Sequence, residues 1–277
     1  MPNPARLSSI YRTAFVTGAS TGLGRAFTEM LLAEGLRVWG TARSAARLAP
    51  LADVPGFSAV VLDLADGAEA ERTMRAAAES AGGFDLVINN AGFGVFGDFA
   101  ATDFRVWEAQ LQVMLVNTAR LAHVALADWR ARGKAGALVN ISSLAAEFPL
   151  PFQSAYNMTK AGLTALNESL MIETAGSGIV ILDVRPGDYR TEFEGAVQRP
   201  PGPETPAMQR AWAAFARLMR SGPRPAHAAQ ALRRALWRRR SGTVRCGRFF
   251  QAVIAPFLAR FGSLGLKRRI QAHYFDL

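Results

Sequence analysis

Tyr156 and Lys160 stand four residues apart in Tyr156-Asn157-Met158-Thr159-Lys160. On a helix that spacing puts both side chains on one face. A free tyrosine, with a pKa of about 10, is a poor proton shuttle at neutral pH. An ammonium beside it stabilises the phenolate and lowers that pKa. Such a tyrosine can protonate a carbonyl oxygen as hydride arrives, or deprotonate an alcohol as hydride leaves. An ordinary exposed helix face offers the same pair. Its meaning grows with Asn140-Ile141-Ser142-Ser143, whose last residue lies thirteen positions before Tyr156. A hydroxyl at the end of that apolar run could donate to the same oxygen.

These groups need elements that bring them together. Short β-branched runs at 13–17, 36–41, 58–63, 84–89, 137–142 and 179–185 read as strands. Between them, 23–34 (ended by Gly35), 69–81 and 154–175 have helical spacing, and 104–132 reads as one long helix or a bent pair. Strands alternating with helices of this length imply βαβ crossovers and a parallel sheet in an α/β, doubly wound domain. The unbroken apolar run Leu86-Val87-Ile88 fits a sheet covered on both faces.

A glycine-rich turn, Thr17-Gly18-Ala19-Ser20-Thr21-Gly22-Leu23-Gly24, joins the first strand to the first helix. That is the context a dinucleotide site requires. Gly18 permits the tight turn, Gly22 lets the backbone approach a pyrophosphate, and Gly24 lets the helix pack close to the sheet. Free N–H groups at the helix start, with Ser20, Thr21 and Leu23 around them, favour the phosphates.

The Gly-x-x-x-Gly-x-Gly spacing in this setting resembles the short-chain dehydrogenase/reductase family, and the resemblance extends from residue 13 to about 191. Asp63-Leu64 resembles the family's adenine-contacting acid after the third strand. Asn89-Asn90-Ala91-Gly92 looks like the signature after the fourth, in which Asn90 ties neighbouring strands and Gly92 leaves room for the adenosine ribose. Pro186-Gly187, followed by Thr191, looks like the Pro-Gly turn and the threonine that touches the nicotinamide carboxamide. Ser143 has the family's offset for the catalytic serine, with Ser142 in a supporting role.

The resemblance implies one Rossmann-like domain with a seven-stranded sheet in the order 3-2-1-4-5-6-7, flanked by helices. It implies reversible hydride transfer between a nicotinamide cofactor and a carbonyl or an alcohol. Tyr156 would be the general acid/base, Ser143 would orient the oxygen, and Lys160 would lower the tyrosine pKa and bind ribose. It also implies a homodimer or homotetramer through the helix of Tyr156, with Ala161, Ala165 and Met171 on that face. Epimerases and dehydratases share the scaffold, and a cofactor-binding scaffold protein without turnover is the alternative.

An NAD site usually ends its second strand with an acid that binds the ribose 2′-hydroxyl. Here the strand ends in Thr41-Ala42-Arg43. A guanidinium can bind a 2′-phosphate that a carboxylate would repel. The expectation is NADP(H), with Arg43 on the phosphate and Ser20 nearby. One departure concerns the family's asparagine in the long helix, whose backbone carbonyl serves a proton relay. Met114 registers at that place and Asn117 one helical turn later. Met114 could suffice through its carbonyl, Asn117 could substitute, or proton exchange is impaired.

Half of the 277 residues are hydrophobic, which affords a core and excludes general disorder. A lone cysteine, Cys246, excludes a disulfide-stapled module. His123, His227 and His273 lie far apart, so no metal site is expected. The stretch 1–12 lacks an apolar run of leader length, and no segment reaches the roughly 20 apolar residues of a membrane span, so a soluble cytoplasmic protein is expected. The net charge of +10 fits anionic lipid, nucleic acid, a polyanionic small ligand or simply a basic surface. The basic amphipathic stretch 226–240 carries no nucleic-acid reader motif, so none is expected to bind.

The expected layout is a cofactor-binding and catalytic core over 12–187, a substrate lid over 188–225, and C-terminal helices with an apolar basic tail over 226–277. The Pro-rich 198–206 and the amphipathic helix 207–219 motivate the lid. Phe193, Met208, Trp212, Phe215 and Met219 suggest a hydrophobic pocket for a bulky ketone or alcohol. The apolar run 249–261, followed by Lys267-Arg268-Arg269, could rest on an anionic membrane surface, close over a lipophilic substrate or bury in a subunit interface.

Overall fold

The computed structural model describes residues 6–277; the first five, part of the stretch 1–12 read above, lie outside the described residues. Seven parallel strands form the main sheet: β1 (Thr13–Val16), β2 (Arg37–Ala42), β3 (Phe57–Val61), β4 (Leu86–Asn89), β5 (Ala137–Ile141), β6 (Val180–Pro186) and β7 (Gly242–Cys246). They lie in the order 3-2-1-4-5-6-7, as the resemblance implied. The strand order reverses beside β1, which leaves a crevice at the carboxyl ends of β1 and β4, where doubly wound sheets bind ligands. A small parallel ladder pairs Gly94–Val95 with Val197–Gln198 outside that sheet.

Alternate residues of each strand feed opposite faces. Ala14 and Val16 join a core with Phe27 and Leu31 of α1 (Gly22–Ala33). Phe15, between them, joins a second core with Met74 of α2 (Gly67–Ala81) and Trp129 on the far side of the sheet. This period of two along strands covered on both faces accounts for their near-continuous apolar sequences.

The 104–132 segment is the bent pair: α3 (Phe104–Leu111), a π-helical turn (Gln112–Val116) and α4 (Asn117–Ala131). Its start is capped by Asp103, whose carboxylate accepts from Arg105 N. Tyr156 and Lys160 lie on α5 (Ser154–Glu173). The expected amphipathic helix is α6 (Pro206–Arg220), opened by the Thr205 cap and Pro206. Then come α7 (Pro225–Arg238), whose Leu232 and Leu236 join the α1 core, and β7, which completes the sheet. The stretch 226–277 therefore divides. Its first part belongs to the sheet layers, and only the residues after β7 fold back over the cleft.

Candidate active site

A cleft of about 1260 Å³ opens at the carboxyl edge of the sheet. Gly18, Ser20, Thr21, Gly22 and Leu23 line it with Arg43, Asp63, Leu64, Asn90, Ala91 and Gly92. So do Ser143, Tyr156, Lys160, Pro186, Gly187 and Thr191. Gly24 does not line it. A Cβ there would lie 2.1 Å from the Gly18 carbonyl oxygen, so Gly24 serves the close approach of α1 to its own turn.

The glycine turn is held from the neighbouring strand end. Thr17 Oγ1 accepts from Asn90 N at 2.9 Å and Ala91 N at 3.0 Å, and Asn90 Nδ2 donates to the Thr17 carbonyl at 3.0 Å. Gly18 and Gly22 have φ of +68° and +55°, a left-handed region in which a side chain is strained. The Gly22 N–H donates to Glu192 Oε2 at 3.1 Å. The start of α1 thus already binds an anionic oxygen, the test that a phosphate-binding turn should pass. Arg43 and Arg47 border the cleft beyond this turn. Arg47, in the short turn of helix after β2, went unnoticed in the sequence, although its four-residue spacing from Arg43 was readable.

Asp63 bounds the same end, and its Oδ1 accepts from Ala65 N at 2.9 Å. Gly92 borders the cleft, and a Cβ there would lie 2.8 Å from Cε of Met114. Its missing side chain makes room for Met114 within the protein.

Ser142 and Ser143 follow β5 and diverge in direction. Ser142 is buried and donates to Asp183 Oδ1 and, at 3.2 Å, to the Val184 carbonyl. Ser143 accepts from Ala145 N at 3.0 Å and faces the cleft. Lys160 is buried; its Nζ donates to the Ile141 carbonyl at 2.8 Å and lies 5.4 Å from the Tyr156 ring centroid. Burial pushes Tyr156 up to about 12, against a hydrogen bond from Ser143 that lowers it, while the Asp188 charge adds to the rise. Burial pulls Lys160 down to about 8, opposed by the Asp183 carboxylate. Burial is thus the largest influence on the tyrosine in the cofactor-free protein. Desolvation disfavours the charged phenolate, and the ammonium donates to a backbone carbonyl.

Asn117 does not line the cleft. Its Nδ2 donates to the Leu64 carbonyl at 2.6 Å and its Oδ1 accepts from Gln112, so it is locked beneath the β3 loop. Met114 borders the cleft instead, in the centre of the π-helical turn, and its sulfur accepts from Phe93 N at 3.3 Å. Such turns frequently mark functional positions in helices.

At the other end, Asp188 follows the Pro186-Gly187 turn. It accepts from Gln251 Nε2 at 2.5 Å and Tyr274 Oη at 3.0 Å. Burial holds Asp188 above the usual carboxylate range, although Gln251, Tyr274 and Arg248 pull it down. Burial, then the Asp188 charge, raises Tyr274 as well. Asp188 stood next to a recognised motif; nothing in the sequence connected it to Gln251 and Tyr274. Phe193, Phe215 and Met219 border the cleft as expected, and the Phe193 ring lies 5.9 Å from that of Tyr156. Met208 and Trp212 do not. They pack with Phe96, whose ring lies 5.2 Å from Trp212, in the same cluster as Phe215 and Met219. The face of α6 that holds them is used to attach the helix.

The glycine turn, the paired arginines and the Ser143, Tyr156 and Lys160 cluster share one crevice of a doubly wound sheet. Residues 12–201 match the family model described as short chain dehydrogenase, and the chain belongs to this oxidoreductase family. It is 31% identical over 188 residues to an uncharacterized oxidoreductase of Schizosaccharomyces pombe, covering 68% of this chain and 64% of that one. It is 30% identical over 189 residues to carbonyl reductase (NADPH) 2 of Sus scrofa, covering 68% and 76%. The chain thus spans less than two thirds of the yeast relative. A solved short-chain dehydrogenase from Streptomyces avermitilis superposes with a TM-score of 0.81 at 31% identity, covering 95% and 98%. A Burkholderia phymatum structure in complex with NAD has a TM-score of 0.80 at 24% identity, covering 90% and 92%, and shares the fold.

Proposed function

We propose that the protein is an NADP(H)-dependent oxidoreductase that interconverts a hydrophobic carbonyl compound and its alcohol. The observation that carries this reading is one continuous cleft with Arg43 and Arg47 at one end and Ser143, Tyr156 and Lys160 further along it. The two guanidiniums favour a 2′-phosphate, and no carboxylate ends β2 to oppose it. Gly18 and Gly22 keep the turn open for the pyrophosphate, with Ser20, Thr21 and Leu23 around it. Asp63, Leu64 and Asn90 to Gly92 border the adenosine side, and Pro186, Gly187 and Thr191 the nicotinamide side.

NADP(H), when bound, supplies or accepts the hydride. The chain's own groups manage the oxygen. Ser143 donates to it and holds it near the phenol. Tyr156 gives its proton to the oxygen in reduction and takes it back in oxidation. Lys160 holds α5 against the end of β5 and stabilises the phenolate that reduction leaves. The apolar rim of Phe193, Phe215 and Met219 excludes water and favours a bulky, lipophilic substrate. Residues 188–225 serve as the substrate lid, and Met158 and Ala161, exposed on α5, favour a homodimer or homotetramer through that helix.

The test follows NADPH and NADH consumption against hydrophobic ketones and aldehydes, with Tyr156→Phe beside the unmodified protein. The expected result is turnover with NADPH that the variant loses. NADPH binding without turnover across a broad panel would replace this reading with a cofactor-binding scaffold.

A further inference from the structure

After β7 the chain forms two consecutive helical arms: a π-helical turn (Phe250–Ile254) running into a short helix (Ala255–Ala259), and then α8 (Leu264–Tyr274). Phe249, Val253, Phe257 and Phe261 recur every four residues along its first arm, a helical stripe. They are 71%, 49%, 61% and 77% exposed. Leu264 and Ile270 on the second arm are also mostly exposed, at 62% and 55%. Single exposed apolar residues are ordinary, whereas a continuous stripe marks an interaction surface.

Charge selects the partner. From residue 205 to the end the sequence holds fifteen arginines and lysines and one acid, Asp276. The positive excess of the whole chain therefore sits in this last quarter. Arg260, Lys267, Arg268 and Arg269 flank the stripe, and none has an acidic partner among the described residues. A twofold contact with a second copy would bring this basic patch against itself. A polyanion in water would leave the phenylalanines uncovered. An anionic bilayer satisfies both features, with acyl chains for the stripe and headgroups for the cations. Among the described residues no helix is long and apolar enough to cross a membrane, so these arms would lie in the interface plane.

We propose that residues 249–270 are a docking element for the surface of an anionic lipid bilayer. Leu258, Phe261, Leu266 and Ile270 also line the cleft, so the docked face carries its mouth. A lipophilic substrate then enters from the membrane, a corollary that rests on the function proposed above.

The full chain would be sedimented with vesicles of phosphatidylcholine alone, or of phosphatidylcholine mixed with phosphatidylglycerol, at low and high salt. The expected result is salt-sensitive binding to the anionic vesicles only. Reversing two cations near the surface, Arg268→Glu with Arg269→Glu, should weaken it at least roughly thirtyfold. Phe249→Ser with Phe257→Ser should abolish it while melting temperature stays unchanged. No binding to anionic vesicles, equal binding by the charge variant, or a stable dimer that the serine variant dissolves would each overturn the proposal. Binding is read without turnover, so a failure here leaves the reductase reading standing, and a silent enzyme still decides this one.

Discussion

The Lys160 ammonium and the Ile141 carbonyl oxygen, 2.8 Å apart, join the helix that carries Tyr156 to the strand end that carries Ser143. The contact is buried, so it holds the two elements in register where water cannot compete. Behind it a polar chain crosses the sheet. Asn89 donates to Asn140, and Asn140 to Asn167. Asn167 and Ser142 both donate to Asp183, which pairs with Arg185 at 2.7 Å. The elements that carry the serine, the lysine and the tyrosine are thus backed by Asn89, Asn140, Asn167 and Asp183, none of which lines the cleft.

Tyr156→Phe removes the proton and keeps the ring. Loss of a positioned general acid is worth about 10²–10⁴ in rate. Steady-state kinetics should show kcat reduced by at least about a hundredfold, and cofactor titration by fluorescence should show little change in Kd.

Arg43→Ala combined with Arg47→Ala tests the cofactor assignment. Hydrogen bonds to charged groups contribute about 1.5–3 kcal/mol, so the Kd for NADPH should rise roughly tenfold to a hundredfold. The Kd for NADH should stay within about twofold of the unmodified value, as it has no 2′-phosphate for the guanidiniums to bind. Equal losses for both would remove the arginines from the phosphate site.

Glu192 places a carboxylate on the Gly22 N–H, the donor a pyrophosphate needs. Both anions cannot use it, and they repel one another. Glu192→Gln should therefore tighten cofactor binding, by calorimetry, with the gain shrinking as salt is raised.

Lys160 titrates at about 8 in the folded chain, below its ordinary 10.5, because burial penalises its charge. Between these values the unfolded chain binds more protons, so stability should rise with pH across that window. Denaturant titrations at pH 7 to 10 should show this rise in the cofactor-free protein. The rise should flatten in Lys160→Met, which has nothing to titrate.

Asp188 raises the Tyr156 pKa through its charge. Asp188→Asn removes that charge, so the alkaline limb of the pH profile of kcat/KM should move to lower pH. An unmoved limb would mean that the Asp188 charge does not act on Tyr156.

Much of this was readable from local pattern. The strands announced themselves because a sheet covered on both faces demands apolar residues at every position, as in Leu86-Val87-Ile88. The glycine turn was legible because Gly18 and Gly22 adopt positive φ, a backbone requirement that few other residues meet. β7 was harder: its alternate exposure and arginine content resemble an edge more than a core strand. The Asp188, Gln251 and Tyr274 cluster was invisible, since it joins the β6 loop to the last helix across 86 positions.

The sequence by itself determined the α/β alternation, the phosphate-binding turn and the serine, tyrosine and lysine, since each follows from residue type and short-range spacing. Only the tertiary structure decided that Met114 rather than Asn117 borders the cleft, for a π-helical turn shifts the register between them. It likewise decided that burial raises the Tyr156 pKa, and that a side chain at Gly24 or Gly92 would meet Gly18 or Met114. These outcomes depend on which surfaces meet and exclude water, a property of chain segments far apart in sequence.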